Sequence, residues 1–326
     1  MTRTGGNRPP FDPELGAILA TLPENIQAVL SIGPEDIPAF RQMNAGFRPD
    51  VAELRRGGAV EVRETTVPAH AGRPALPVLL MRPTRGPGPW PGVYHVHGGG
   101  MVAGDHWELA DRLAEWVDLI GVVGVSIGYR LAPEHPHPTP VEDCYAGLRW
   151  AVDHARELDL DPARMVIWGS SAGGGLAAAT TLLTRDRGGP ALAHQILHSP
   201  MLDDRNQTPS SHELDRAGFW DRRSNLTGWG SLLGEARGGP DVSPYAAPAR
   251  ATDLSGLPPA FIDVGQVETF RDETLDYAAR LSQAGVPVEL HMWPGAWHGF
   301  TSAAPQAAVS QLSITARTDY LRRVLA

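Results

Sequence analysis

Apolar positions change their spacing along the chain, and the changes divide it. Through residue 55 the spacing is helical. Asp12-Pro13 forms an N-cap and first-turn pair before the run ELGAILATL, and Gly33-Pro34 opens a second helix that Gly46 closes. From Val60 the pattern turns to strands: 60–67 and 75–81, split by a Gly-Arg-Pro turn, then 92–97, which runs into Gly98-Gly99-Gly100. An amphipathic helix is predicted over 107–119, a buried strand over 122–129, and, beyond the Pro-rich LAPEHPHPTP, a helix over 141–158. The apolar strand 165–168 turns abruptly into an Ala- and Leu-rich helix that ends at Gly188-Gly189-Pro190. Strand 194–197 follows. Residues 203–240 then break the alternation with charges, glycines and three aromatics that read as exposed, Phe219, Trp220 and Trp229. That stretch reads as an insertion. Order returns with strand 260–264, helix 271–284 before Gly285, strand 288–293 and a helix over 307–324. Strands alternating with helices predict an α/β protein with a mainly parallel sheet covered on both faces.

Length and charge narrow the classes. At 326 residues, one large domain with an appendage fits better than two equal domains. A net charge of -9, with every base an arginine, argues against nucleic acid or an anionic membrane as partner. One cysteine, Cys144, excludes an intramolecular disulfide and fits a reducing cytoplasm. The stretch MTRTGGNRPPFDPELG has no apolar region of the secretory type. Residues 165–184 lack charge over a membrane-spanning length, but their glycines and hydroxyls fit a strand, a turn and a buried helix better.

Candidate chemistry sits at that turn. Ser171 has Gly169 two residues before it and Gly173 two after, between a strand and a helix, which is the setting of a nucleophile elbow. Ser170 is flanked at the same distance by Trp168 and Ala172, so it does not fit. Ser126 matches the same pattern through Gly124 and Gly128, yet it lies in a strand leading to RLAPE and reads as structural. A serine hydroxyl needs a base that a carboxylate orients. His298, in GAWHGF just past a strand, is the base candidate; Glu268, after FIDVG, is the orienting acid. The order Ser171, Glu268, His298 is that of α/β-hydrolases. His97-Gly98-Gly99-Gly100 can turn amides inward, so the amides of Gly99, Gly100 and Ala172 are the expected oxyanion donors.

The motifs together resemble the hormone-sensitive-lipase-like bacterial esterases (family IV) of the α/β-hydrolase superfamily. They are HGGG at 97–100, YRLAPEHP at 129–136, VEDCYAGLRW at 141–150, GSSAGG at 169–174, FRDE at 270–273 and AGVPVELHMWPGAWHGF at 284–300. The resemblance implies an α/β-hydrolase fold, with a mostly parallel eight-stranded sheet and core residues 56–202 and 241–326. A helical cap is implied from residues 1–55 and 203–240. It also implies hydrolysis of short- to medium-chain acyl esters through an acyl-enzyme, without a cofactor, and a possible homodimer through the last strand and helix. An amidase or lactonase would use the same residues, and a non-catalytic ligand receptor is a further alternative on this fold. Two positions depart from the family. Ser170 stands where Asp or Thr is usual, and Glu268 stands where the triad acid is usually Asp. Asp272, one helical turn on, is the rival acid and is expected to support the loop instead.

Plainer readings compete elsewhere. His97 is expected to pin the glycine loop, and the pairs His95/His97 and His135/His137 each lack a third ligand at zinc-like spacing, so no metal is expected. Cys144 reads as a small buried residue. Met101, Phe219, Trp220 and Trp229 could line a substrate pocket, and the last three could equally be packing within the cap. The run Arg271-Asp272-Glu273 reads as helix N-terminal charge facing solvent.

Overall fold

The structure, a computed structural model, describes residues 8–22, 30–215 and 217–326. Parts of the expectations for 1–55 and 203–240 fall on residues 1–7, 23–29 and 216 and so lie outside the described residues. Eight strands form one sheet in the order β1-β2-β4-β3-β5-β6-β7-β8. They are β1 (Val60–Val67), β2 (Leu76–Pro83), β3 (Trp90–Val96), β4 (Val123–Ile127), β5 (Leu160–Ser170), β6 (His194–His198), β7 (Ala260–Gly265) and β8 (Val288–Trp293). β2 pairs antiparallel with β1 and β4; the pairings from β4 through β8 are parallel. β3, β4 and β7 are buried almost throughout, as strands covered on both faces must be, whereas edge strand β8 alternates between half-buried and exposed.

The longer helices are α1 (Pro13–Ala20), α2 (Ile37–Ala45), α3 (Ala110–Ile120), α4 (Thr139–Asp153), α5 (Ala172–Asp186), α6 (Arg222–Leu233), α7 (Arg271–Gln283) and α8 (Ala308–Leu325). α3 and α8 pack on one face of the sheet through Leu113, Trp116, Val117, Tyr320 and Leu321. α4, α5 and α7 pack on the other through Leu148, Leu176, Leu182, Tyr277 and Leu281. Burying each large apolar side chain contributes about 1.5–3 kcal/mol. Cys144 belongs to this second core.

Three differences from the sequence reading have simple causes. β5 starts at Leu160 because the chain around Asp161-Pro162 still pairs with β3, across a register shift between Pro91 and Gly92. Two of the three aromatics read as exposed are buried and Phe219 is half-buried: Trp229 is 0% and Trp220 5% exposed, because residues 30–45 cover the 203–240 stretch. Thr227 donates to the Ile32 carbonyl at 2.9 Å, Ser31 to Asp221 at 2.7 Å, and the Phe40 ring lies 5.9 Å from that of Trp220. Nor does Arg271-Asp272-Glu273 face solvent. Glu273 is buried and accepts from the Leu202 and Asp203 amides, and Arg271 bridges Glu213 and Asp272. Burial raises the Glu273 carboxyl well above its ordinary value. No helix of the described residues is long and apolar enough to cross a membrane.

Candidate active site

Parallel strands deliver their carboxyl ends to one edge, where ligands of open α/β sheets bind. β3 ends there at the glycine loop, β5 at Ser171, β7 before Glu268 and β8 before His298. The corner at Ser171 is tight. A Cβ on Gly169 would lie 2.1 Å from the Gly173 carbonyl oxygen, and one on Gly173 2.0 Å from that of Val96, so side chains at either position would push strand and helix apart. Ser171 itself has φ 58 and ψ -124, a conformation that costs an L-residue of order 1–3 kcal/mol. Three backbone bonds hold it there. Its N–H donates to His198 O at 2.9 Å, and its carbonyl accepts from Gly175 and Met201, both at 3.0 Å.

The three predicted side chains meet. His298 Nε2 lies 2.9 Å from Ser171 Oγ, and its Nδ1 lies 3.1 Å from Glu268 Oε1. A carboxylate only accepts, so Nδ1 carries the ring proton and Nε2 turns its lone pair to the hydroxyl. Glu268 is fully buried; its Oε2 accepts from the Gly265 amide and the Ser199 hydroxyl, both at 2.8 Å. Asp272 points elsewhere. Its Oδ2 accepts from the Ser210 amide at 2.7 Å, tying the 203–240 stretch to the start of α7.

The amides of Gly99, Gly100 and Ala172 have no acceptor among the described residues, and each belongs to a peptide whose carbonyl is held from behind. Gly98 O, in the plane of the Gly99 amide, accepts from His97 Nδ1 at 2.9 Å and Tyr129 OH at 3.3 Å. Gly99 O accepts from Val102 and Ala103 at 3.1 and 2.9 Å, and Ser171 O has the two donors given above. Because a trans peptide sets N–H opposite C=O, pinning the carbonyls aims the amides. Burial pulls His97 down to about 4 and His95 to about 3, so both rings stay neutral. Behind the loop, the Glu108 carboxyl accepts from the Gly98 amide, and burial raises it to about 7.

A sequence profile described as alpha/beta hydrolase fold matches residues 93–302. This chain belongs to that family. Within it, the chain is 35% identical to the carboxylesterase NlhH of Mycobacterium tuberculosis over 313 residues, covering 93% of each. Among solved family structures it resembles one titled Bacterial Heroin Esterase, with TM-score 0.89, 38% identity and 97% and 98% of the two chains covered. Esterase LipW from Mycobacterium marinum is also similar, with TM-score 0.83, 34% identity and the same coverage. The hormone-sensitive-lipase-like motifs all fall within this match.

The candidate pocket residues divide. Met101 is fully buried with φ 65, and its carbonyl accepts from the Ala132 amide at 2.9 Å. Trp220 stands against Gly100, Phe219 stacks 5.8 Å from Trp297, and Trp229 lies in the core. Ser126, the decoy match, is buried within β4 and bonds His95 Nδ1 at 2.8 Å. Sequence reasoning missed Ser199, Tyr129 and Glu108. Tyr129 carried a signal in YRLAPE; the other two have none apart from the fold.

Proposed function

We propose that this protein is a carboxylesterase, a serine hydrolase that cleaves short- to medium-chain acyl esters through an acyl-enzyme without a cofactor. Supporting the reading most directly is the hydrogen-bonded series Ser171–His298–Glu268 beside amides with no acceptor among the described residues. The named relatives, a carboxylesterase and esterases, support the same chemistry. Ser171 Oγ attacks the ester carbonyl as His298 Nε2 takes its proton, and the Gly99, Gly100 and Ala172 amides receive the oxyanion. Each such donor is worth about 2.7–4 kcal/mol of barrier. Glu268 stabilises the imidazolium and fixes its orientation. His298 then protonates the leaving alcohol, and water repeats the sequence on the acyl group.

In this reading residues 1–55 and 203–240 form a cap over the site, with Phe219 and Trp220 as its inner surface. Two chains would pair through edge strand β8, where Leu290 and Met292 are 40% and 41% exposed, in a cytoplasmic homodimer. Ser171→Ala tests the reading on p-nitrophenyl butyrate: turnover should fall by about 10⁶-fold, the scale of losing a serine nucleophile, in a protein with wild-type Tm. Retained turnover, or labelling of Ser171→Ala by a fluorophosphonate, refutes it.

A further inference from the structure

The carboxyl end of β6 supplies none of the reacting groups assigned above, yet it touches the segments that carry all three. His198 O accepts the Ser171 N–H, Ser199 Oγ donates to Glu268 Oε2, and His198 Nε2 lies 3.3 Å from Thr301 Oγ1, just past the His298 loop. Asp263 in β7 holds this end in place, through His198 Nδ1 at 2.8 Å and through its carbonyl, which accepts from the Ser199 amide at 2.7 Å.

Ser199 is the unusual member. Its φ is 44, in the left-handed region where glycine is at ease and an L-residue is strained. It is 1% exposed, and among the described residues its side chain makes a single hydrogen bond, to the carboxylate that faces His298. Strain persists at a buried corner when the side chain held there is used. Glutamate has one more torsion than aspartate, so facing His298 with Oε1 leaves its carboxylate plane free to turn unless Oε2 is also fixed, and two donors reach Oε2, the Gly265 amide and the Ser199 hydroxyl, both at 2.8 Å.

We propose that Ser199 is a positioning residue for the carboxylate: its hydroxyl, presented from a strained backbone corner, joins the Gly265 amide in fixing Oε2 so that Oε1 stays in line with His298 Nδ1. The proposal rests on the reading of Ser171, His298 and Glu268 as the catalytic set. Ser199→Gly tests it, because glycine accepts this φ and removes little beyond the hydroxyl. The expected result is a Tm no lower than wild type, an unchanged KM for p-nitrophenyl butyrate, and kcat lower by about tenfold, the scale of one hydrogen bond to a charged group. In a Glu268→Gln background the same change should alter kcat less than twofold, since the bond it removes no longer holds a carboxylate. A Ser199→Gly enzyme with kcat within twofold of wild type overturns the proposal. So does an equal loss in the Glu268→Gln background, including the case where Ser199→Gly lowers Tm. Retained turnover in Ser171→Ala would instead undo the underlying assignment, whatever Ser199 does.

Discussion

Gly100→Ala probes the oxyanion role proposed for the glycine loop. Gly100 has φ 64, and a Cβ there would stand 1.9 Å from the Trp220 ring. The backbone term alone costs an L-residue about 1–2 kcal/mol. The indole cannot simply retreat, because it is 5% exposed and backed by Phe40 at 5.9 Å; overpacking such a site costs about 1–3 kcal/mol more. Holding the native geometry would therefore cost about 2–5 kcal/mol, as much as one oxyanion donor is worth, at about 2.7–4 kcal/mol. The chain escapes that cost by rotating the peptide between Gly99 and Gly100, which carries the Gly100 N–H out of the site. We expect kcat on p-nitrophenyl acetate to fall about 10²–10³-fold with KM within threefold of wild type and only a modest loss of Tm. Adding Trp220→Ala removes the clash but not the φ, so kcat should recover in part. A Gly100→Ala enzyme with wild-type kcat and Tm would refute the assignment of this amide.

Glu268→Gln should lower kcat by several orders of magnitude, as losing the carboxylate that orients a histidine does, while Asp272→Asn should keep kcat within about threefold and lower Tm. The opposite pattern would transfer the role to Asp272. Stability should fall in mild acid. His95 and His97 refuse protons until about pH 3 and 4, whereas in the unfolded chain they bind them near 6.5. Glu108, raised from 4.5 to about 7, works in the other direction, holding in the folded chain a proton the unfolded chain has released. Between about pH 6 and 4.5 these three leave one more proton on the unfolded chain, a loss of about 1.4 kcal/mol per pH unit. Glu273, also raised by burial, opposes the loss as Glu108 does, while His137, His194 and His198, lowered by burial, add to it. Urea midpoints that stay level from pH 6.5 to 5 would contradict this.

The sheet was legible because strand-length apolar runs alternated with helical ones, and the boundaries of β1 and β8 coincide with the patterns over 60–67 and 288–293. Ser171 was separable from Ser126 because a nucleophile needs a helix after it, and only the first has one. Trp220 and Trp229 were misread for a physical reason. Their burial comes from residues far away in sequence, and no local period records a contact across that distance. Ser199 was invisible for another. Whether a serine after a strand bends to positive φ depends on what Asp263 and Glu268 require of it, and both demands are tertiary.

The opening turns of the chain reach the far side of the site. The Asp12 amide donates to Gly295 O at 3.0 Å, Trp297 Nε1 donates to Leu15 O at 3.2 Å, and Leu15 packs with Trp297 and Phe300. Meanwhile Arg41 in α2 donates to Val102 O at 2.6 Å, just past the glycine loop. The segment before β1 thus holds the loop that carries His298 at one place and the glycine loop at another. Grafting a foreign N-terminal segment onto this sheet would exchange more than the proposed cap. It would reset the distance between the two halves of the reaction centre, so specificity and turnover should be inherited together.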